Sequence, residues 1–178
     1  MTTTLLAIAA TTFLGGNSGL SVGENITPFH PTHVAGPLAG GTDCFPCTFG
    51  NRPQAQVWIT NDSPENTKGI ASLLDGAMKK HGNAEFKAMI VWVAPKGQKD
   101  AYLKAARAFA KSEKQPVDFA VLEAGDEAVS KYKVNTTDKT VKNTVFVYKN
   151  WKVAAKMVNF DAKKDASAFN TAVAKIAG

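Results

Sequence analysis

The run Ala88-Met89-Ile90-Val91-Trp92-Val93 is apolar at every position. It therefore lacks the in–out alternation of a strand with one face in water. Its length suits a strand, and a strand of this kind is buried on both sides because helices cover its sheet from above and below. The flanking sequence supplies those helices. Upstream, Gln56-Val57-Trp58-Ile59-Thr60 has the β-branched and aromatic content of a second strand. Asn61-Asp62-Ser63-Pro64-Glu65 follows as a helix start, a capping side chain with Pro in the first turn. That helix lines up Ile70, Leu73, Leu74, Ala77 and Met78, and His81-Gly82 closes it.

Downstream, the spacing predicts a helix after Asp100 with Tyr102, Ala105, Ala106, Phe109 and Ala110 inward, ending before Pro116. Val117, Phe119 and Val121 alternate as a third strand, and a short helix runs from about Asp126 to Tyr132. Thr144–Tyr148, a Lys149-Asn150 turn and Trp151–Val158 form an antiparallel hairpin. A last helix turns Phe169, Ala172, Val173 and Ile176 to one side. The order is βαβαβ, helix, ββα. Two crossovers require a parallel half-sheet, and the hairpin adds antiparallel strands at one edge. The expected fold class is α/β, a mixed central sheet with flanking helices and a C-terminal antiparallel hairpin.

The chain has 178 residues, enough for one domain with a real core plus some extra chain. Three segments are expected: an apolar N-terminal piece over 1–17, a Gly/Pro-rich extension over 18–53, and the α/β domain over 54–178. The extension reads as extended, turn-laden chain with short strands at most. The apolar piece, Leu5 to Leu14, has signal-peptide length and is too short to span a bilayer. No Lys or Arg precedes it and no clean A-x-A site follows. It reads as a weak export signal, a signal truncated at its start, or an N-terminal element of the fold. We take export as the working expectation, which places the chain outside the cytoplasm, periplasmic or secreted. There a cysteine pair rests as a disulfide, whereas in cytosol it would be two thiols.

A net charge of +6 invites a nucleic-acid reading, but Arg52 and Arg107 are the only arginines. Phosphate and base recognition favours the planar guanidinium. The lysines (Lys79, Lys80, Lys104, Lys111, Lys114, Lys163 and Lys164) fall on the polar faces of separate helices, as solvated surface does. No nucleic-acid partner is expected. A dinucleotide site is excluded because no G-x-G-x-x-G follows the Gln56–Thr60 strand. No spacing supports Ser–His–Asp catalysis.

The chemistry concentrates in Cys44-Phe45-Pro46-Cys47, the only two cysteines. A C-x-x-C pair in an α/β chain points to thiol–disulfide exchange. The ring it closes is small, worth about 2 kcal/mol by loop entropy, which favours cycling over stapling. Arg52, His30 and His33 are the local cations that could favour a thiolate. Other readings stay open. A static disulfide would pin the Gly-rich loop of a non-catalytic scaffold. Ten residues separate the His30-x2-His33 pair from Cys44, and His30, His33, Cys44 and Cys47 make an acceptable tetrahedral set for zinc or copper. Pro37, Thr42 and Cys44 nearly fit the P-x3-[TS]-x2-C pattern of peroxidases, with the threonine one place late. The Asn61–Glu65 helix start offers N–H groups to an anionic ligand.

Asn143–Ala155, with its Lys149-Asn150 turn, resembles the C-terminal hairpin of thioredoxins. Gly19–Glu24 with Phe29 resembles the opening segment of peroxiredoxins and related extracytoplasmic reductases. Gly36–Pro53 is similar to exported bacterial thioredoxin-like proteins with a cysteine pair before the first core strand. The resemblance implies a thioredoxin-like three-layer fold and a thiol–disulfide oxidoreductase acting on a protein or small-molecule thiol or disulfide. By the same analogy Cys44 attacks and Cys47 resolves, with no cofactor required. Two positions depart from the family. Asp62, Ser63, Pro64 and Glu65 stand where its active-site cysteines begin a helix, and Asn143 replaces its cis-proline. A strand of about seven residues spans roughly 20 Å. Cys44 and Cys47 are therefore expected near the opposite pole of the sheet.

Overall fold

The computed structural model describes residues 17–113 and 117–178. The apolar run of the N-terminus and the approach to Pro116 lie outside them. In chain order the elements are β1 (Thr32–Ala35), α1 (Phe45–Phe49), β2 (Gln54–Ile59), α2 (Pro64–Lys80) and a 3-10 turn at Gly82–Ala84. They continue with β3 (Lys87–Ala94), α3 (Lys99–Glu113), β4 (Asp118–Glu123), α4 (Glu127–Lys131), β5 (Asn143–Lys149), β6 (Lys152–Val158) and α5 (Ala166–Ala177). The six strands form one sheet in the order β1-β4-β3-β2-β5-β6. β2, β3 and β4 run parallel, while β1, β5 and β6 pair antiparallel. The expected α/β class and element order are met.

Three layers result. Ile70, Leu74 and Ala77 of α2, Ala110 of α3, and Phe169, Val173 and Ile176 of α5 bury against Val57, Ile59, Ile90, Val145 and Val147 of the sheet. On the other face Leu20, Ile26 and Phe29 join Phe45 of α1 and Ala128 and Val129 of α4 over Trp58, Met89, Val91 and Phe146. Residues 17–31 thus pack into the second layer rather than trail from it. Phe29, Trp58 and Tyr132 stack with ring centroids 4.7–5.2 Å apart.

The sequence reading is corrected in several places. The extension holds the short strand its sequence allows and also a helix, which that reading left out. β1 is four residues long and α1 five, too short for periodicity to show. Helix α1 forms because Pro46 sits in its first turn, where a missing N–H costs nothing, and the Cys44 side chain caps it. The hairpin turn is Asn150-Trp151, both at positive φ (52° and 64°), with Lys149 paired to Lys152. A two-residue loop with both φ positive is the type I′ turn that matches strand twist. Trp151 accepts this conformation because its ring packs on the second layer and its carbonyl takes the Ile26 N–H at 2.7 Å. Ala105 is exposed, because α3 lies over β4 and the β1 edge and buries only the Ala106–Ala110 stripe. β4 is buried through its first five residues instead of alternating.

A polar chain crosses the second layer. Tyr148 donates to Gln54 Oε1 at 2.7 Å and accepts from Gln56 Nε2 at 2.7 Å, and Gln56 Oε1 takes the Trp58 indole N–H at 3.1 Å. All four side chains are buried. Tyr148→Phe strips partners from both glutamines and is expected to cost about 1–3 kcal/mol, read from urea unfolding followed by tryptophan fluorescence. Unchanged stability would mean the chain of bonds contributes nothing.

Candidate functional site

Three parallel strands begin at the same pole of the sheet, at Gln54, Lys87 and Asp118, and α1 sits there. Gln54 Nε2 donates to Gly50 O at the end of α1 (2.8 Å), Lys87 N–H bonds Pro53 O (3.1 Å), and Lys87 Nζ lies 5.7 Å over the Phe49 ring. The expected pole is the one observed. Cys44 and Cys47 are joined as a disulfide, Cα atoms 5.2 Å apart. The two sulfurs differ in surroundings. Cys44 is 6% exposed and buried beside Phe45, whereas Cys47 is exposed. The Cys47 N–H points at Cys44 Sγ (3.2 Å). The exposure runs opposite to the roles implied by analogy, in which Cys44 attacks.

Both histidines meet the cysteine loop, through its backbone. His30 Nδ1 donates to Thr42 O at 3.0 Å, and His33 Nε2 donates to Asp43 O at 2.8 Å, the residue before Cys44. The other His33 nitrogen, Nδ1, contacts Asp118 Oδ1, and both side chains are fully buried. Each ring nitrogen faces an oxygen acceptor, so only the protonated ring donates to both. Burial opposes that charge, but the Asp118 hydrogen bond and charge, with Asp43, outweigh it and raise the His33 pKa. Asp118 Oδ2 also takes the Leu38 N–H (3.2 Å). Gly36, at φ +85°, lies so close that an added Cβ would fall 2.5 Å from Asp118 Cα. The loop from β1 to the cysteines is thus hung on one buried ion pair.

The metal set does not assemble in this arrangement. The Cys44 and Cys47 sulfurs are bonded to each other, and both His33 nitrogens are occupied by Asp118 and Asp43. Among the described residues no group of three or more His, Cys, Asp or Glu side chains is placed to hold a metal ion. Arg52 pairs with Glu85 at 3.0 Å and donates through Nη1 to Phe49 O at the end of α1 (3.3 Å).

At the opposite pole, where the family's cysteines would stand, a polar clamp replaces them. Asp62 Oδ2 accepts from the side-chain amides of Asn66 (2.8 Å) and Asn143, and Asp62 Oδ1 takes the Ser63 N–H (2.8 Å). Asn143 also donates to Phe160 O (2.9 Å) and accepts the Phe160 N–H (2.8 Å). Ser63 caps α2 through the Asn66 N–H (3.1 Å), and His81 closes the helix, as expected. Asn143 thus ties the loop after β6 to the head of α2. Sequence reasoning missed Asp118, Asn66 and Phe160, whose partners lie far away along the chain. The one available signal was an acidic residue opening a buried strand.

No protein-family model matches the chain, and no curated protein matches it. Solved structures do. A protein of Chlorobium tepidum, described provisionally as the thiol:disulfide interchange protein DsbE, superposes with a TM-score of 0.68 at 16% identity, over 89% of this chain and 99% of that one. Peroxidoxin BcpB of Mycobacterium tuberculosis gives 0.67 at 14%, over 87% and 97%. A Bacteroides thetaiotaomicron protein, provisionally a protein disulfide isomerase, gives 0.66 at 14%, over 89% and 92%. At such identities the likeness fixes the fold.

Removing one partner of the buried pair, as in Asp118→Ala, leaves an uncompensated charge and is expected to cost about 3–5 kcal/mol in urea unfolding. The pH dependence has a definite sign. A raised folded-state pKa makes the contribution of His33 complete below its unfolded value of about 6.5 and removes it as pH rises through the folded value. Stability of the wild-type chain should therefore fall above about pH 6.5, and the fall should vanish in His33→Gln. A parallel decline in both proteins would show that other groups cause it.

Proposed function

We propose that this chain, which has the thioredoxin-like fold, is a thiol–disulfide oxidoreductase working through Cys44 and Cys47. One observation carries the reading: the disulfide joins a segment that other bonds already hold. His30 and His33 fix the carbonyls of Thr42 and Asp43, Gln54 fixes that of Gly50, and α1 keeps its own Thr48-to-Cys44 and Gly50-to-Pro46 bonds. A four-residue ring adds roughly 2 kcal/mol to such a segment. A bond with little to hold and one sulfur at the surface is suited to opening and closing.

The partner is a thiol or disulfide, on a protein or a small molecule. The position of the pair, before the first core strand and at the pole opposite Asp62–Glu65, distinguishes this centre from the usual one of the fold. Peroxide reduction through Cys44 is less well supported, since peroxide would have to reach a buried sulfur. The signal-like segment favours an extracytoplasmic setting, where the pair rests oxidised. Among the described residues no helix is long and apolar enough to cross a membrane.

The test is reduction of the folded chain. Dithiothreitol under native conditions is expected to release both thiols, counted by a chromogenic disulfide before any denaturant is added. The chain should then speed the reduction of a disulfide-containing peptide, and Cys47→Ser should abolish that activity. A disulfide that resists until the protein unfolds would identify a static link and end the oxidoreductase reading.

A further inference from the structure

Within that reading, the unequal surroundings of the two sulfurs decide which one meets the partner. Thiol–disulfide exchange is an in-line displacement: the incoming thiolate approaches one sulfur from behind, and the other sulfur leaves. Cys44 is 6% exposed, and the adjoining Phe45 is 1% exposed, belongs to the second-layer core cluster and meets the Phe49 ring at 4.8 Å. Cys47 is exposed, as is the Thr48 that follows it. Access therefore favours attack at Cys47. The departing sulfur would be that of Cys44, which already receives the Cys47 N–H at 3.2 Å. A hydrogen bond to the charged form of a thiol favours that form, which makes a better leaving group.

We propose that Cys47 is the sulfur that forms the mixed disulfide and Cys44 the one that resolves it, the reverse of the order implied by the thioredoxin analogy. In the oxidising direction a partner thiolate bonds to Cys47 Sγ, the Cys44–Cys47 bond breaks, and its electron pair leaves on Cys44 Sγ. A second partner thiolate then attacks the partner's own sulfur in the mixed disulfide and releases Cys47 as thiolate. The partner's two thiols become one disulfide, the chain's disulfide becomes two thiols, and protons distribute according to pH. In the reducing direction the Cys47 thiolate opens a partner disulfide, and the Cys44 thiolate then attacks Cys47 Sγ to free the partner. Cys44 never has to reach the surface.

The polarity is tested with the aromatic disulfide 5,5′-dithiobis(2-nitrobenzoate) as probe. Cys44→Ser, which leaves Cys47, should react about ten-fold faster or more than Cys47→Ser, which leaves Cys44. Because either variant could lose its fold, the reduced wild-type chain is also treated with limiting iodoacetamide and its peptides are mapped by mass spectrometry. Carboxamidomethyl groups should accumulate first on Cys47. Equal labelling, or faster labelling of Cys44, overturns the assigned order while leaving the oxidoreductase reading intact. A wild-type disulfide that native dithiothreitol cannot open removes that reading itself and the order with it, so the two failures are told apart.

Discussion

The arrangement at the cysteine pole depends on one buried ion pair. Asp118 opens β4 and His33 lies on β1, so their contact ties the outer strand to the parallel core. The other oxygen of Asp118 and the other nitrogen of His33 both bond the loop that follows β1, at Leu38 and Asp43. A buried charge is costly unless every lone pair and proton finds a partner. Here the partners that satisfy the charges are backbone groups of the loop leading to Cys44. Satisfying the pair and shaping the loop are the same act.

Much of the fold was legible in the sequence. Ala88–Val93 reads as a doubly buried strand because no polar residue interrupts it, and β3 is central in the sheet. Ser63 and Pro64 announce α2 by local capping chemistry, which needs no knowledge of tertiary context. What stayed hidden depends on that context. β1 and α1 are stabilised by burial of Phe45 and by pairing with β4, not by any repeating pattern of their own. The hairpin turn was misplaced by one residue because Trp151 has no intrinsic preference for positive φ. Its packing imposes that conformation.

The cysteine site divides in the same way. The C-x-x-C spacing and its displacement toward the opposite pole could be read from the order of segments alone. The nearness of His30 and His33 to the pair could be suspected from spacing, but the form of contact could not. Nothing in H-x2-H says that each ring will hold a carbonyl. His33 meets Asp118 across 85 residues, and only the folded sheet brings them together. The relative depth of the two cysteines is likewise set by Phe45, whose ring draws its end of α1 into the second layer.

Helix α1 keeps its backbone bonds without help from the sulfur bridge, through Thr48 to Cys44 and Gly50 to Pro46. Its ends are tethered separately, at Asp43 and Gly50. Opening the bridge would leave those bonds in place, so the oxidoreductase proposed above would store or release electrons on a helix already held by its own backbone. On that reading the chain would report its redox state to a partner through the reactivity of Cys47 rather than through its contour.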